Sequence, residues 1–258
     1  MTLRYYIDLN SDMGEIPESV GNGTQDSIMR SLTSVNIACG AHAGDESTMR
    51  ETVRQALHWK LAIGAHPGYP DRENFGRIAL NLSSEEVAAL VAEQVTALSR
   101  IAEEYRARVT HVKPHGALYN QAANDRALSA AIAHGVKRWG RDVVLVGLAG
   151  SAMLDEFRNA GFVAAGEAFA DRRYEPDGTL RSRQLPGALI TDPQEAAAQA
   201  VSVAMRGRIH STDGSEISIQ AETICIHGDT PGAGAIAAAV ADTLRKAGIT
   251  LRHVSTRY

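Results

Sequence analysis

Short apolar runs alternate along this chain with segments whose apolar residues recur at helical spacing, and a polar cluster follows almost every run. Tyr5-Tyr6-Ile7-Asp8-Leu9-Asn10 reads as a first strand entering the loop Ser11-Asp12-Met13-Gly14-Glu15. A short helical pattern from Asp26 to Leu32 precedes a second run, Val35-Asn36-Ile37-Ala38-Cys39. Asp45 is placed to cap a helix carrying Met49, Val53, Ala56 and Leu57. A third strand, Leu61-Ala62-Ile63-Gly64-Ala65, ends in His66-Pro67-Gly68. Ser83 and Glu86 form a capping box for a helix running through Leu90, Val91, Leu98 and Ile101.

The fourth strand leads through Arg108-Val109-Thr110-His111 into Val112-Lys113-Pro114-His115-Gly116-Ala117-Leu118-Tyr119-Asn120. Pro114 cannot donate to a ladder and should end it, Gly116 should turn the backbone, and a polar gap should precede a helix opening at Asn124. Val143-Val144-Leu145-Val146 is a fifth strand, Ser151 should cap a short helix stopping at Gly161, and Phe162-Val163-Ala164-Ala165 is a sixth strand ending at Glu167. Residues 168–190 are polar and punctuated by Gly and Pro, longer than an ordinary connection. Asp192-Pro193 opens another helix, and Glu222-Thr223-Ile224-Cys225-Ile226 is the last strand. Thr230-Pro231 should cap and start a final helix through Ile236, Val240 and Leu244.

Strand, polar strand end and helix thus recur about seven times, which argues for parallel strands in one α/β sheet. At this length a closed TIM-like (β/α)7–8 barrel is favoured, with an open doubly wound sheet as the runner-up. No Pro/Gly/Ser-rich linker divides residues 1–258, so one domain is expected.

Composition narrows the function. The chain has 258 residues, 44% hydrophobic and 22% charged, with a formal net charge of −4 and no run of Lys or Arg, so nucleic acid is not an expected partner. No apolar stretch approaches the ~20 residues that span a bilayer, and Asp8, Asp12 and Glu15 appear before any signal-like run. The two cysteines, Cys39 and Cys225, sit in strand-like surroundings rather than in a disulfide framework, and a cytoplasmic location is expected.

In a barrel, the polar residues ending successive strands converge on one mouth. Here they are Asp8, Asn10, Asp12, Asn36, His42, His66, Lys113, His115, Glu167, His227 and Asp229. Each has a plainer reading, and Asp45 and His58 read as a helix cap and a surface residue. Five of nine histidines, His42, His66, His111, His115 and His227, nevertheless lie in or beside strand ends, where purposeless burial would be costly. The mouth offers acid/base groups and a fixed cation, suited to polarising a carbonyl or holding an anion. His227-Gly228-Asp229-Thr230-Pro231-Gly232-Ala233 adds either an anion site at a helix start or simple capping by Thr230. No phosphate loop, dinucleotide fingerprint or nucleophile elbow occurs. Cys39 beside His42 fits a buried free thiol better than a nucleophile.

Six ordered segments resemble the LamB/YcsF family of lactam-utilization proteins, the A subunits of 5-oxoprolinase. They are Asp8 to Glu15, Asn36 to Asp45, Gly64 to Asp71 with Phe75-Gly76-Arg77, Val112 to Asn120, Glu167 to Arg172 with Tyr174, and His227 to Ala233. The resemblance implies a (β/α)7-type barrel like those of glycoside hydrolases and sugar deacetylases. It also implies ATP-dependent opening of 5-oxoproline to L-glutamate, in a complex with 5-oxoprolinase subunits B and C. ATP is then a co-substrate, and the missing nucleotide motif fits a partner handling it. For such chemistry Asp12, His42, Lys113 and His115 are the expected catalytic groups. Asn10, Asn36, His66, Tyr119, Glu167, Arg172, His227 and Asp229 are expected to bind substrate. A stand-alone metal-dependent amide hydrolase or deacetylase is the competing reading, and a noncatalytic substrate-binding role is a third. Without H-x-x-x-H spacing, no metal is expected.

Overall fold

The computed structural model describes residues 5–140 and 142–256. Its strands follow the expected order: β1 (Tyr6–Met13), β2 (Ser34–Ala38), β3 (Ala62–His66), β4 (Val109–Val112), β5 (Val144–Leu148) and β6 (Val163–Phe169). An antiparallel pair, β7 (Arg208–His210) and β8 (Glu216–Ser218), stands apart from the main sheet. β9 (Thr223–Cys225) pairs in parallel with both β6 and β1, and so closes a seven-stranded barrel. This excludes the open sheet. β10 (Thr250–Leu251) adds in parallel beside the start of β1.

Helices wrap the barrel: α1 (Pro17–Gly21), α2 (Thr24–Met29), α3 (Glu46–His58), α4 (Ser84–Glu104), α5 (Gly116–Ala122), α6 (Arg126–Trp139), α7 (Ala152–Asn159), α8 (Pro193–Arg206) and α9 (Ala233–Lys246). Asp45 and Ser83 cap α3 and α4 through reciprocal capping boxes, and Pro193 opens α8 behind the Asp192 cap. The main core lies between strands and helices, where Ile7, Leu9, Val35 and Ile37 meet Val53, Val91, Ile236 and Val240. Among the described residues no helix is long and apolar enough to cross a membrane.

Three local expectations change. Ser151 stands at the N-cap of α7 as expected, but its side chain makes no capping bond, because its hydroxyl donates to the Leu148 carbonyl at 2.7 Å. Thr230 does not cap α9, which starts at Ala233 behind Gly232; its hydroxyl donates to buried Asp171 at 2.5 Å. Helix α5, from Gly116 to Ala122, runs into the polar gap expected after Asn120, and α6 is capped by Asp125 rather than opening at Asn124. Gly116 does turn the chain, at φ 52°; a Cβ there would lie 2.6 Å from the Gly76 carbonyl oxygen.

Candidate active site at the barrel mouth

The long β1 strand places Asp8, Asn10 and Asp12 on one face, since alternate residues of a strand share a side. The hydrogen bonds show that this face looks inward. Asp8 accepts from Ser34 and Thr223; Asn10 donates to Glu167 Oε1 at 2.9 Å and Thr223 Oγ1 at 2.7 Å; Asn36 donates to Asn10 Oδ1 and Asp12 Oδ1, each at 2.8 Å. His111 Nε2 meets Asn36 Oδ1 at 3.0 Å. Burial pushes the His111 imidazole down to about 3, so it is neutral and donates through that nitrogen. Asp8, Asn10, Asn36 and Glu167 therefore lie inside the barrel below the mouth, because β1 and β6 run further than expected.

Lys113 stands on this network, only 2% exposed. Its ammonium lies 2.9 Å from Glu167 Oε1 and 3.0 Å from Asp12 Oδ1, with Cys225 Sγ at 3.2 Å. Burial alone would discharge it, but Asp12, Cys225 and Glu167 hold its pKa well above the ordinary lysine value. Burial likewise opposes the charge on Asp12, yet His66 and Lys113 keep that carboxyl well below its usual range. Burial moves Glu167 upward against the neighbouring ammonium, and Tyr119 donates to its second oxygen at 2.9 Å. An ammonium has three donors, so Lys113 is largely occupied by protein acceptors.

At the rim of this network, Glu15, His42, His66 and His115 converge. Glu15 Oε1 is 3.0 Å from both His42 Nε2 and His115 Nδ1, and His66 Nε2 is 3.0 Å from His115 Nδ1 and 3.3 Å from Asp12 Oδ2. Burial opposes the Glu15 charge, but the adjacent His115 and His42 imidazoles hold its carboxyl far below the usual range. Burial lowers His42 to about 4, and its ring stacks on His115 at 3.7 Å. Gly76 makes room for the stack: at φ 63°, its Cβ would lie 2.8 Å from His42 Cβ. These nitrogen and carboxylate donors are of the kind that hold a divalent metal.

A cleft of about 380 Å³ opens above, with Asp12, His66, Lys113, His115 and Tyr119 on its floor and near wall. His227 lies on the same lining, its Nδ1 3.0 Å from Asp171 Oδ1. Asp171 is fully buried and also accepts from the His227 backbone N–H at 3.0 Å. Burial opposes its charge, but His227 and these hydrogen bonds keep its pKa below the usual value. A carboxylate can only accept, so His227 donates through Nδ1, and in the neutral imidazole the lone pair is on Nε2. Asp12, Cys225 and His227 bring one donor atom each within 4.8 Å of one another, which puts that imidazole over the floor.

The far rim is cationic. Arg77, Arg172 and Arg183 all border the cleft. Arg183 Nη1 and Arg77 Nη2 both reach Asp229 Oδ2, at 2.9 Å and 2.5 Å, so one carboxylate faces two guanidinium groups. Arg172 lies beside them with its Nε buried and unpaired. The polar 168–190 stretch supplies Arg172 and Arg183, which explains its length: it is a wall of the cleft.

The sequence pattern of the LamB/YcsF family matches residues 7–258. The chain belongs to the LamB/YcsF family. The A subunit of a 5-oxoprolinase from Chloroflexus aggregans is 48% identical over 246 residues, 95% of this chain and 98% of that protein. The solved structure of a lactam utilization protein from Thermus thermophilus has a TM-score of 0.87 at 41% identity, covering 96% of this chain and 99% of that one. A family 4 carbohydrate esterase from Streptomyces lividans shares the fold alone, with a TM-score of 0.55 at 11% identity over 99% of this chain and 96% of that one.

In this LamB/YcsF chain, the expected residues separate by depth. Asp12, His66, Lys113, His115, Tyr119, Arg172 and His227 reach the cleft; Asn10, Asn36 and Glu167 support them from below; His42 backs His115; Asp229 braces the arginines. The helix start at 230–233 does not border the cleft, whereas Arg77, Arg172 and Arg183 do. Glu15, Asp171, Arg77 and Arg183 were not expected at the site. Glu15, Asp171 and Arg77 lie inside the family-like segments, the first two within three and four residues of Asp12 and Glu167, and that proximity was the available signal. Nothing in the spacing marks Arg183. Cys39 is no nucleophile: its thiol contacts the Ile37 carbonyl at 3.1 Å, and burial pushes it up to about 12.

Proposed function

We propose that this chain is the A component of a multisubunit 5-oxoprolinase, opening 5-oxoproline to L-glutamate with ATP as co-substrate and the B and C subunits as partners. One observation carries the reading beyond the names of relatives: a cationic rim faces a carboxylate-oriented imidazole across one cleft. A five-membered lactam is a stable amide, so its carbonyl must be activated. Phosphoryl transfer from ATP to the lactam oxygen makes the ring carbon electrophilic and adds negative charge, which the Arg77, Arg172 and Arg183 rim is suited to hold.

Water then adds to that carbon, its proton passing to His227 Nε2, with Asp171 steadying the imidazolium. The C–N bond breaks as the carbonyl re-forms, and the ring nitrogen takes up the proton. The acyl phosphate left behind is hydrolysed by a second water to glutamate and inorganic phosphate. Asp12 and Lys113 form the ionic floor, with Lys113 acting mainly through the carboxylates it holds. The chain's lack of a phosphate loop supports a partner handling ATP.

The test is 5-oxoproline-dependent ADP release and glutamate formation, by this chain alone and with the B and C subunits. Turnover is expected only in the assembled complex. Robust ATP-dependent glutamate formation by the single chain, or no 5-oxoproline dependence in the complex, would overturn the reading.

A further inference from the structure

We infer that Glu15 Oε1, His66 Nε2 and His115 Nδ1 form a binding site for one divalent transition metal of the zinc class at the edge of the cleft. His66 Nδ1 lies 2.7 Å from the Lys113 carbonyl oxygen, and His115 Nε2 lies 2.8 Å from the Phe75 carbonyl oxygen. Carbonyl oxygens only accept, so both remote nitrogens carry hydrogen. In the neutral rings the facing nitrogens, His66 Nε2 and His115 Nδ1, then present lone pairs to each other across 3.0 Å. A cation between them removes that conflict.

The third donor completes a set that a divalent metal favours. Glu15 Oε1 is 3.0 Å from His115 Nδ1 and 3.8 Å from His66 Nε2, and Glu15 has almost no solvent exposure at its side chain, 8%. The three edges, 3.0, 3.0 and 3.8 Å, bracket the ~3.4 Å separation of donors on a tetrahedral zinc with arms of about 2.0–2.1 Å. Backbone carbonyls on the remote nitrogens are the usual supports of metal-bound imidazoles. A proton shared by the two imidazoles would draw in the Glu15 carboxylate as well, so the feature that favours a metal is the near-equilateral meeting of three donor atoms beside the open cleft.

His42 is excluded as a fourth ligand. Its ring lies parallel to His115, at 3° and 3.7 Å, and two parallel rings cannot both hold one ion in their planes. Its Nε2 instead steadies the Glu15 oxygen at 3.0 Å. Two imidazoles and one carboxylate leave coordination positions open, and His66 and His115 border the cleft. The donors come from the loop after β1, the end of β3 and the start of α5, so no short spacing marks them in the sequence.

This inference does not depend on the 5-oxoprolinase reading, and its test uses neither substrate, ATP nor partner subunits. The full chain is stripped with chelator and titrated with Zn²⁺ by calorimetry, then with Co²⁺ by visible absorption. One zinc per chain and the d–d bands of a nitrogen-ligated, low-coordinate Co²⁺ are expected. His115→Gln and Glu15→Gln should abolish stoichiometric binding, His42→Phe should weaken it by ~10–100-fold, and exposed His58→Gln should leave it unchanged. Absence of saturable zinc, or unchanged binding in a natively folded His115→Gln, overturns the site. Where a variant does not fold by circular dichroism, X-ray absorption of zinc-loaded wild type decides: two imidazoles support the site and any other number overturns it.

Discussion

Replacing Lys113 by Met keeps most of the apolar stem and deletes the charge that holds two buried carboxylates. Wild-type Lys113 is 2% exposed, 2.9 Å from Glu167 Oε1 and 3.0 Å from Asp12 Oδ1. Removing one partner of a buried ion pair typically costs ~3–5 kcal/mol, because the remaining charge is left uncompensated in a low-dielectric interior. In a chain of this size each kcal/mol moves Tm by roughly 2–4 °C, so Lys113→Met should melt about 6–20 °C below wild type. Thermal and guanidinium unfolding of the isolated chain measure this directly. Adding Glu167→Gln to Lys113→Met removes one stranded charge and should recover part of the loss. A surface-turn lysine would give a shift within noise. A Lys113→Met chain melting within about 2 °C of wild type would refute the buried-triad reasoning.

Three further outcomes follow from the same geometry. Asp171→Asn should lower turnover of the complex by ~100- to 10,000-fold at little change in KM, matching His227→Gln, as expected for an orienting carboxylate behind a general base; retention of a third of turnover argues against the dyad. Arg183→Ala removes a charged donor from the rim that faces the phosphorylated lactam and should lower kcat of the complex by ~10- to 100-fold, read from initial rates at saturating substrate, while an unchanged kcat places the anion elsewhere. Gly64→Ala drives a Cβ to within 2.1 Å of His111 Nε2, so a loss of ~1–3 kcal/mol is expected in unfolding experiments.

The alternation of strand and helix was legible because each strand needed a continuous apolar face toward its helices, and that face repeats in the sequence. Depth was not. Asp8, Asn10 and Asp12 read as a strand end because polar residues usually are, whereas here they line the inside of a strand that continues to Met13. Ser151 and Thr230 looked like caps because hydroxyls favour that position; each instead met a stronger local acceptor, a carbonyl or the Asp171 carboxylate. The β7–β8 hairpin was missed because its strands are three residues each, although Asp213-Gly214 is a turn signal at its tip. Arg183 could not be found at all: it reaches the cleft from an irregular segment, where no period links sequence spacing to space.

The barrel can carry so much charge inside because its stability resides elsewhere. Ile7, Leu9, Val35 and Ile37 bury the outer face of the sheet against the helices, leaving the inner face free for polar side chains that need only satisfy one another. Strand register supplies that satisfaction: Asp12 lies beside Asn36, Asn36 beside Gly64, and Gly64 beside His111. The missing side chain at Gly64 is what lets the His111 ring cross to Asn36, whose amide then donates to Asp12. Asp12 in turn faces Lys113 and His66. A one-residue slip of any of these strands would turn its inward groups to the apolar side. The parallel register that closes the barrel is therefore also what positions the acidic and basic groups of the mouth, so the fold and the site are specified together.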